Sequence, residues 1–387
     1  MLKQTLLLLI SFCISAQSFW DPKPPVKGIT PIKFSIIRIA SESFEAAGVA
    51  DFNKDGEKDI ISGSYWYEGP LFLKRHYTGK SNRYGEYWDD FSGIVMDVDG
   101  DNHLDLISGG WWGQTLRWKR NPGKDEDWKE TIIDSVGDLE TMRAWDIDKD
   151  GVPEICPNNP GFPLKFFKLN NTNGKANGTF TKITVNTIQG HGLGFGDVNS
   201  DGREDFIVSD GWLEAPLRPF TENWTYHPEF KLGTIGVPII VTDVNKDGKA
   251  DLIVGQGHSY GLDWYEQLPK DKKGIINWKK HPIDPYNAQF HTMEWVDLDG
   301  DDQNELITGK RYRAHNDADP GSYDDIGLYY YKWNGESFTK NVIQFGGFGV
   351  GKGTGIYMVV TDMNKDGKPD IVVAGKDGLA VVYNKGY

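Results

Sequence analysis

Cysteine is almost absent from this chain. Two occur in 387 residues, Cys13 and Cys156. Cys13 falls in an N-terminal segment that reads as removable, so Cys156 would stand alone and no intrachain disulfide is available. Positive charge is also short, with 42 Lys and Arg against 56 Asp and Glu and a formal net charge of −14. Such a surface disfavours nucleic acid and anionic membranes. No convincing amphipathic helix is present, and no linker or low-complexity stretch divides the chain. Apolar runs are short throughout, and none is long enough to anchor stably in a bilayer.

What replaces these features is turn residues and rings. The chain holds 46 Gly, 19 Pro, 14 Trp, 17 Tyr and 19 Phe. That composition suits a turn-rich all-β protein with bulky packing. The N-terminus reads as a signal peptide over residues 1–18, with Lys3, the apolar run Leu6 to Ile14 and small residues at Ala16 and Ser18. The expected location is secreted or periplasmic. Cys13 opens a lipoprotein alternative that Phe12 disfavours. Residues 19–33 read as a linker.

A nine-residue acidic phrase then occurs seven times. Its positions 1, 3, 5 and 9 always carry a side-chain oxygen. The sets are Asp51, Asn53, Asp55 and Asp59, then Asp97, Asp99, Asp101 and Asp105, then Asp146, Asp148, Asp150 and Glu154. Next come Asp197, Asn199, Asp201 and Asp205, followed by Asp243, Asn245, Asp247 and Asp251. The last two are Asp297, Asp299, Asp301 and Glu305, and Asp362, Asn364, Asp366 and Asp370. Alternating oxygens on a tight turn converge on one point, which suits Ca²⁺, a hard cation with six to eight oxygen ligands. Position 6 is Gly in five copies, Asn102 in the second and Asp302 in the sixth. These residue types tolerate a left-handed backbone.

Short β-branched runs flank each phrase, such as Ile239-Ile240-Val241 before and Leu252-Ile253-Val254 after. They read as two antiparallel strands joined by the acidic loop. The phrases start 46, 49, 51, 46, 54 and 65 residues apart. A period near fifty with several strands per unit predicts a propeller blade. The expected fold is therefore all-β, one seven-bladed β-propeller over residues 34–387 with four-stranded antiparallel blades. The chain ends after the third strand of the last blade. Phe34 to Ile39 fits the missing fourth strand and would close the ring.

Strand direction places all seven acidic loops on one face and any chemistry on the other. Six residues before each phrase stand Glu45, Phe91, Glu140, His191, Val237, His291 and Ile356. Three residues before it, the polar residues are Arg143 and Glu294. His258 follows the second strand of the fifth blade. His191, His258 and His291 are candidate ligands for Zn²⁺ or another divalent metal, since imidazole suits it. His291, Glu294, His191 and His315 are the candidate catalytic groups. Glu140 and Arg143 fit a mutual ion pair as well as a substrate contact. Lys310, Arg311 and Arg313 open the longest irregular stretch and are candidate substrate contacts. Trp212, Asp210 and Tyr260 join them, because aromatic rings beside charged groups suit a sugar. Segments such as Tyr65-Trp66-Tyr67-Glu68 and Trp111-Trp112 read the same way, as exposed rings on this face, while Trp111, Trp112 and Trp212 fit packing of blade against blade equally well.

The seven phrases resemble the FG-GAP/VCBS repeat family, which includes the integrin α-subunit propeller. The segments HGLGFGDVNSDG from His191, GQGHSYGLDWYE from Gly255 and FHTMEWVDLDGDDQNELITGKRYRAHNDADPG from Phe290 are similar to propellers of the aldos-2-ulose dehydratase type. That resemblance implies elimination of water from a keto-sugar. Enzymes of that type also carry cupin-like domains, which have no counterpart in these residues. The expectation is a secreted, calcium-binding, carbohydrate-active lyase or dehydratase. The alternative is a non-catalytic propeller that binds glycan or protein.

Overall fold

The computed structural model describes residues 30–387. The expected signal peptide, and all of the expected linker up to Gly28-Ile29, lie outside the described residues. Seven four-stranded antiparallel sheets form a ring of blades. Blade 1 comprises Gly48–Ala50, Asp59–Ser62, Tyr65–Tyr67 and Arg75–Tyr77. Blade 2 comprises Ile94–Met96, Asp105–Gly110, Thr115–Arg120 and Lys129–Ser135. Blade 3 comprises Thr141–Trp145, Glu154–Asn158, Pro163–Thr172 and Lys175–Ile188, and blade 4 comprises Leu193–Gly196, Asp205–Val208, Gly211–Glu214 and Thr225–His227. Blade 5 comprises Ile240–Thr242, Asp251–Gly255, Tyr260–Leu268 and Asn277–Ala288, and blade 6 comprises Phe290–Val296, Glu305–Lys310, Ile326–Trp333 and Phe338–Gly346.

Blade 7 is assembled from both ends of the fold. Met358–Thr361, Asp370–Val373 and Leu379–Asn384 are its first three strands, and Phe34–Ala40 is the fourth. Phe34 pairs with Asn384 and Arg38 with Ala380. The ring also closes at its centre, where Ala46 bridges Tyr357 in parallel. No helix of the described residues is long and apolar enough to cross a membrane.

Apolar residues are not gathered into one core. They form seven wedges, one between each pair of neighbouring blades. Ile107, Leu116, Ile155 and Phe167 fill the wedge between blades 2 and 3, for example. Each sheet is thus apolar on both faces, which is why its inner strands read as continuous runs and not as alternation. Cys156 lies buried in the wedge between blades 3 and 4, where burial pushes its thiol well up and leaves it inert.

The acidic loops share one internal geometry. The carboxylate at position 1 accepts the N–H groups of positions 5 and 6, as Asp51 does from Asp55 at 3.1 Å and Gly56 at 2.9 Å. The carboxylate at position 9 accepts the N–H of position 2 in every loop, from Phe52 to Asp59 at 2.8 Å through Met363 to Asp370 at 2.9 Å. The left-handed residue expected at position 6 is present in all seven, including Asn102 (φ 66°) and Asp302 (φ 65°). A second left-handed residue at position 4 was not anticipated. Lys54, Lys149, Ser200, Lys246 and Lys365 adopt it with φ of 60–63°. The two loops that lack Gly at position 6 carry it at position 4, as Gly100 and Gly300. Each loop therefore keeps one glycine for two left-handed positions, which limits the strain of that conformation.

Candidate metal centre and adjoining pocket

The inner strands begin on the face opposite the acidic loops, and their register decides what meets at the axis. Glu140 of blade 3, His191 of blade 4 and His291 of blade 6 share one depth. Blade 5 offers only Val237 at that depth, which is fully buried. His258, from the loop after the second strand of blade 5, fills the gap. Glu140, His191, His258 and His291 each offer one ligand atom, and these atoms lie within 4.8 Å of one another. His291 is fully buried, and Glu140 and His258 are buried.

Hydrogen bonds from outside turn the rings inward. His191 Nδ1 lies 2.5 Å from the Ile235 carbonyl, and His258 Nδ1 lies 2.7 Å from Asp319 Oδ2. Both Nδ1 atoms therefore donate, which leaves the Nε2 lone pairs facing each other at 2.9 Å. Two lone pairs at that distance repel unless a cation or proton lies between them. His291 Nε2 is 2.8 Å from Glu140 Oε1 but out of line for a hydrogen bond, so neither ring nitrogen has a hydrogen-bond partner. His191 Nε2 stands 3.4 Å from the same oxygen. Orphaned buried nitrogens are rare in folded proteins. Convergent imidazoles with outward Nδ1–H bonds and one carboxylate are a donor set that fits a divalent transition metal.

The titration of these groups agrees with that fit. Burial pushes the His291 imidazole down to about 4. Burial also pushes His258 far down, with His291 and His191 adding to the effect. Neutral imidazole is the form that ligates. Burial alone would raise the Glu140 carboxyl, but the adjoining His191 and His291 rings outweigh it and hold it well below the usual range.

Around this centre lies a second layer. Arg311 is buried and forms a two-pronged bond to Glu45, with Nε to Oε1 at 2.7 Å and Nη2 to Oε2 at 3.1 Å. Its Nη1 reaches to 3.9 Å of Glu140 Oε1. Asp319 holds His258 with one oxygen and His315 Nδ1 with the other at 2.9 Å. The two rings stack at 4.2 Å and 5°. Backbone strain is concentrated here, since Arg313, His315, Asn316 and Asp317 all hold φ between 49° and 70°. Left-handed non-glycine residues cost roughly 1–2 kcal/mol each, and such strain collects at functional sites.

Beside the centre opens a pocket of about 190 Å³. Blade 2 and the two-stranded hairpin before it, Arg83–Tyr84 with Tyr87–Trp88, build the aromatic wall from Tyr87, Phe91, Trp111 and Trp112. Glu140 and Arg311 form the charged floor, and His315 and Asn316 form the opposite wall. Larger hollows exist, such as one of about 290 Å³ beside Ile32 and Tyr387. They lie at the rim, away from the axis and without the convergent groups.

Several expected site residues are placed elsewhere. Glu140 and Arg143 do not pair with each other. Three residues along a strand separate them by roughly 10 Å of rise, and each pairs across the axis with its counterpart in blade 6. Glu140 meets His291, and Arg143 Nη1 meets Glu294 Oε1 at 2.7 Å. Arg143 also bonds the Val237 carbonyl and Thr292 Oγ1, both at 3.0 Å. Lys310 is fully buried against Gln289, 3.2 Å away, and burial pushes its ammonium down to about 8. Arg313 is locked to Asp317 in the same turn. Tyr260 is exposed and donates to Asp324 at 2.7 Å, and Asp210 is exposed in a tight turn.

Trp212 and Trp66 are not exposed rings. Both lie in third strands, and each stacks on a histidine of the fourth strand, Trp212 on His227 at 4.1 Å and Trp66 on His76 at 3.9 Å. Trp264 on His281 repeats the pair. The third strand already starts one residue before Trp66 and Trp212 and four before Trp264, so these rings belong to the sheets and pack in the wedges between blades.

The fold and these loops define a seven-bladed β-propeller with acidic turns between its inner strands. Residues 97–156 match the family model described as FG-GAP-like repeat. That stretch runs from the acidic loop of blade 2 to the second strand of blade 3. No curated protein matches the chain. Among solved structures, the V. cholerae biofilm matrix protein Bap1 is similar at 15% identity and a TM-score of 0.34, over 86% of this chain and 45% of that one. The chain thus spans less than half the length of that protein.

Proposed function

We propose that this protein is an exported propeller, stabilised by calcium in its acidic loops, that dehydrates a sugar at the pocket face by metal-assisted β-elimination. His291 carries the reading. It is a fully buried imidazole without a hydrogen-bond partner, aimed at a carboxylate and two inward-facing imidazoles. Glu140, His191, His258 and His291 would hold Zn²⁺ or a similar ion. A metal there would supply a Lewis acid for a carbonyl or hydroxyl oxygen of the substrate.

The chain's own groups supply the rest. Tyr87, Trp111 and Trp112 offer flat faces to the CH side of a sugar ring. Arg311, fixed by Glu45, presents its remaining charge to the hydroxyl side. His315 donates its Nδ1–H to Asp319, so its Nε2 is the nitrogen that exchanges a proton with substrate. It takes the proton next to the carbonyl and delivers it to the departing β-hydroxyl, which leaves as water. The resemblance read in the segments at His191, Gly255 and Phe290 to propellers of the aldos-2-ulose dehydratase type supports this choice of reaction class.

The test follows absorbance of an unsaturated product while aldoses and keto-sugars are offered to protein loaded with Zn²⁺. Wild type should produce it. His291→Ala should lose turnover by at least a thousandfold and lose the bound transition metal, with fold and calcium content retained. Sugar binding by wild type without any product would sink the lyase reading and establish the glycan-binding alternative.

A further inference from the structure

The seven acidic loops fall into two classes, and two independent positions sort them identically. Position 3 is Asn53, Asn199, Asn245 and Asn364 in blades 1, 4, 5 and 7. It is Asp99, Asp148 and Asp299 in blades 2, 3 and 6. The second position lies on the third strand, one residue beyond the partner of the residue that follows the loop. Leu106 pairs with Lys119, Ile155 with Phe167 and Leu306 with Tyr331, so the residues in question are Arg120, Lys168 and Lys332. The same step in blades 1, 4 and 5 gives Glu68, Glu214 and Glu266, and in blade 7 Tyr383. The extra carboxylate and the extra cation always arrive together.

The cation enters the loop. Lys168 Nζ lies 2.7 Å from Asp148, 2.6 Å from Asp150 and 3.0 Å from Glu154. Lys332 Nζ lies 2.6 Å from Asp299, 2.7 Å from Asp301 and 3.0 Å from Glu305. An ammonium has three N–H donors, and here all three are used on positions 3, 5 and 9. Arg120 joins Asp99 and Asp101 in the same manner, with Nη2 to Asp101 at 2.6 Å. In blades 1, 4 and 5 the third-strand Glu turns instead to a fourth-strand histidine, as Glu214 does to His227 at 2.9 Å and Glu266 to His281 at 2.7 Å.

We infer that the loops of blades 2, 3 and 6 are closed by the protein's own cation and take up no calcium, leaving four calcium loops in a ring of seven. In all three loops the side-chain cation holds the carboxylates at positions 3 and 5, and in blades 3 and 6 that at position 9 as well, oxygens that a calcium ion would need. The inference rests on the calcium reading of the acidic loops given above.

Counting calcium in the purified, zinc-loaded protein at saturating Ca²⁺ by native mass spectrometry tests it. Four ions per chain are expected. Lys168→Met and Lys332→Met should each bind one more than wild type, because each frees a four-carboxylate loop. Five or more ions in wild type overturn the inference alone. None in wild type overturns the calcium reading and this inference with it. A folded Lys168→Met or Lys332→Met that gains no ion also overturns it, and the wild-type count stands even where a variant does not fold.

Discussion

The two faces of the ring are built on opposite principles. The loop face repeats one turn seven times, with the same carboxylate-to-backbone bonds in every copy. The pocket face uses each residue once, drawing Glu140 from blade 3, His191 from blade 4, His258 from blade 5 and His291 from blade 6. The repeated face can lose one copy and keep the template. The unrepeated face loses its centre with any single ligand. A ring makes such division easy, because equivalent positions at the axis face one another and tolerate different residues without disturbing the wedges between blades. Val237 and Ile356 occupy the same depth as Glu140, His191 and His291 and simply pack there, while Phe91 at that depth lines the pocket.

Calcium removal should produce the largest effect and should break only the loop face. An ion at a hundred times its dissociation constant stabilises by about 2.7 kcal/mol per site, so four loops contribute roughly 10 kcal/mol. That rivals the whole stability of a typical domain, about 5–15 kcal/mol. The melting temperature in chelator should fall by tens of degrees, in a scan that His291→Ala, lacking the transition metal, reproduces. An unchanged melting temperature would show that the loops hold themselves together through their backbone bonds alone.

Asp319→Asn should act on the pocket face alone and more gently. The carboxylate fixes the tautomer of both His258 and His315 without being a ligand. Loss of such an outer partner costs 10–100-fold in metal affinity. Titration with Zn²⁺ reads this, and melting in calcium should stay within a few degrees of wild type. Equal zinc affinity in both proteins would mean that the backbone of the 311–325 loop, not Asp319, orients the rings.

Much of this contrast was legible in the sequence. The repeated phrase carried the blade count and the position-6 conformation, because a propeller has one period and each loop marks it, and the fourth strand missing from the last blade pointed to Phe34 to Ile39 as the closing strand. The six-residue register found Glu140, His191 and His291, and it contained Glu45 too, whose role beside Arg311 went unread. Asp319 gave no signal, since a long irregular loop has no period to align. Trp66 was misplaced, and Trp212 left open between substrate contact and blade packing, for a related reason. Short third strands begin immediately after tight turns, and a ring in a turn looks like an exposed ring until pairing shows otherwise. The cross-strand Trp–His pairs recur in blades 1, 4 and 5, a repeat hidden by unequal loop lengths.

Protonation offers the smallest and sharpest separation of the faces. Burial pushes the position-9 carboxyl of Asp205 up to about 7, and those of Asp59 and Asp251 up to about 6. All three belong to loops assigned to calcium. Above pH 7 they are charged in the native state and must share a small turn with Asp201 or Asp55, so an emptied loop is least stable there. As pH falls through these values, the native state takes up protons that the unfolded state, titrating near 4, does not yet bind. Apo stability therefore rises on acidification to about pH 5. Calcium needs the deprotonated carboxylates, so its affinity falls over the same range. Both effects narrow the gap between loaded and chelated melting temperatures from pH 8 to pH 5. The imidazoles of the other face run the opposite way. His291, held down at about 4, stays neutral while the unfolded histidine charges below about 6.5, so its contribution is lost as pH falls toward 4. Melting scans of His291→Ala against wild type, with and without chelator at pH 5, 6.5 and 8, resolve the two. A calcium-dependent gap that stays constant across this range would remove the buried position-9 carboxylates as its source.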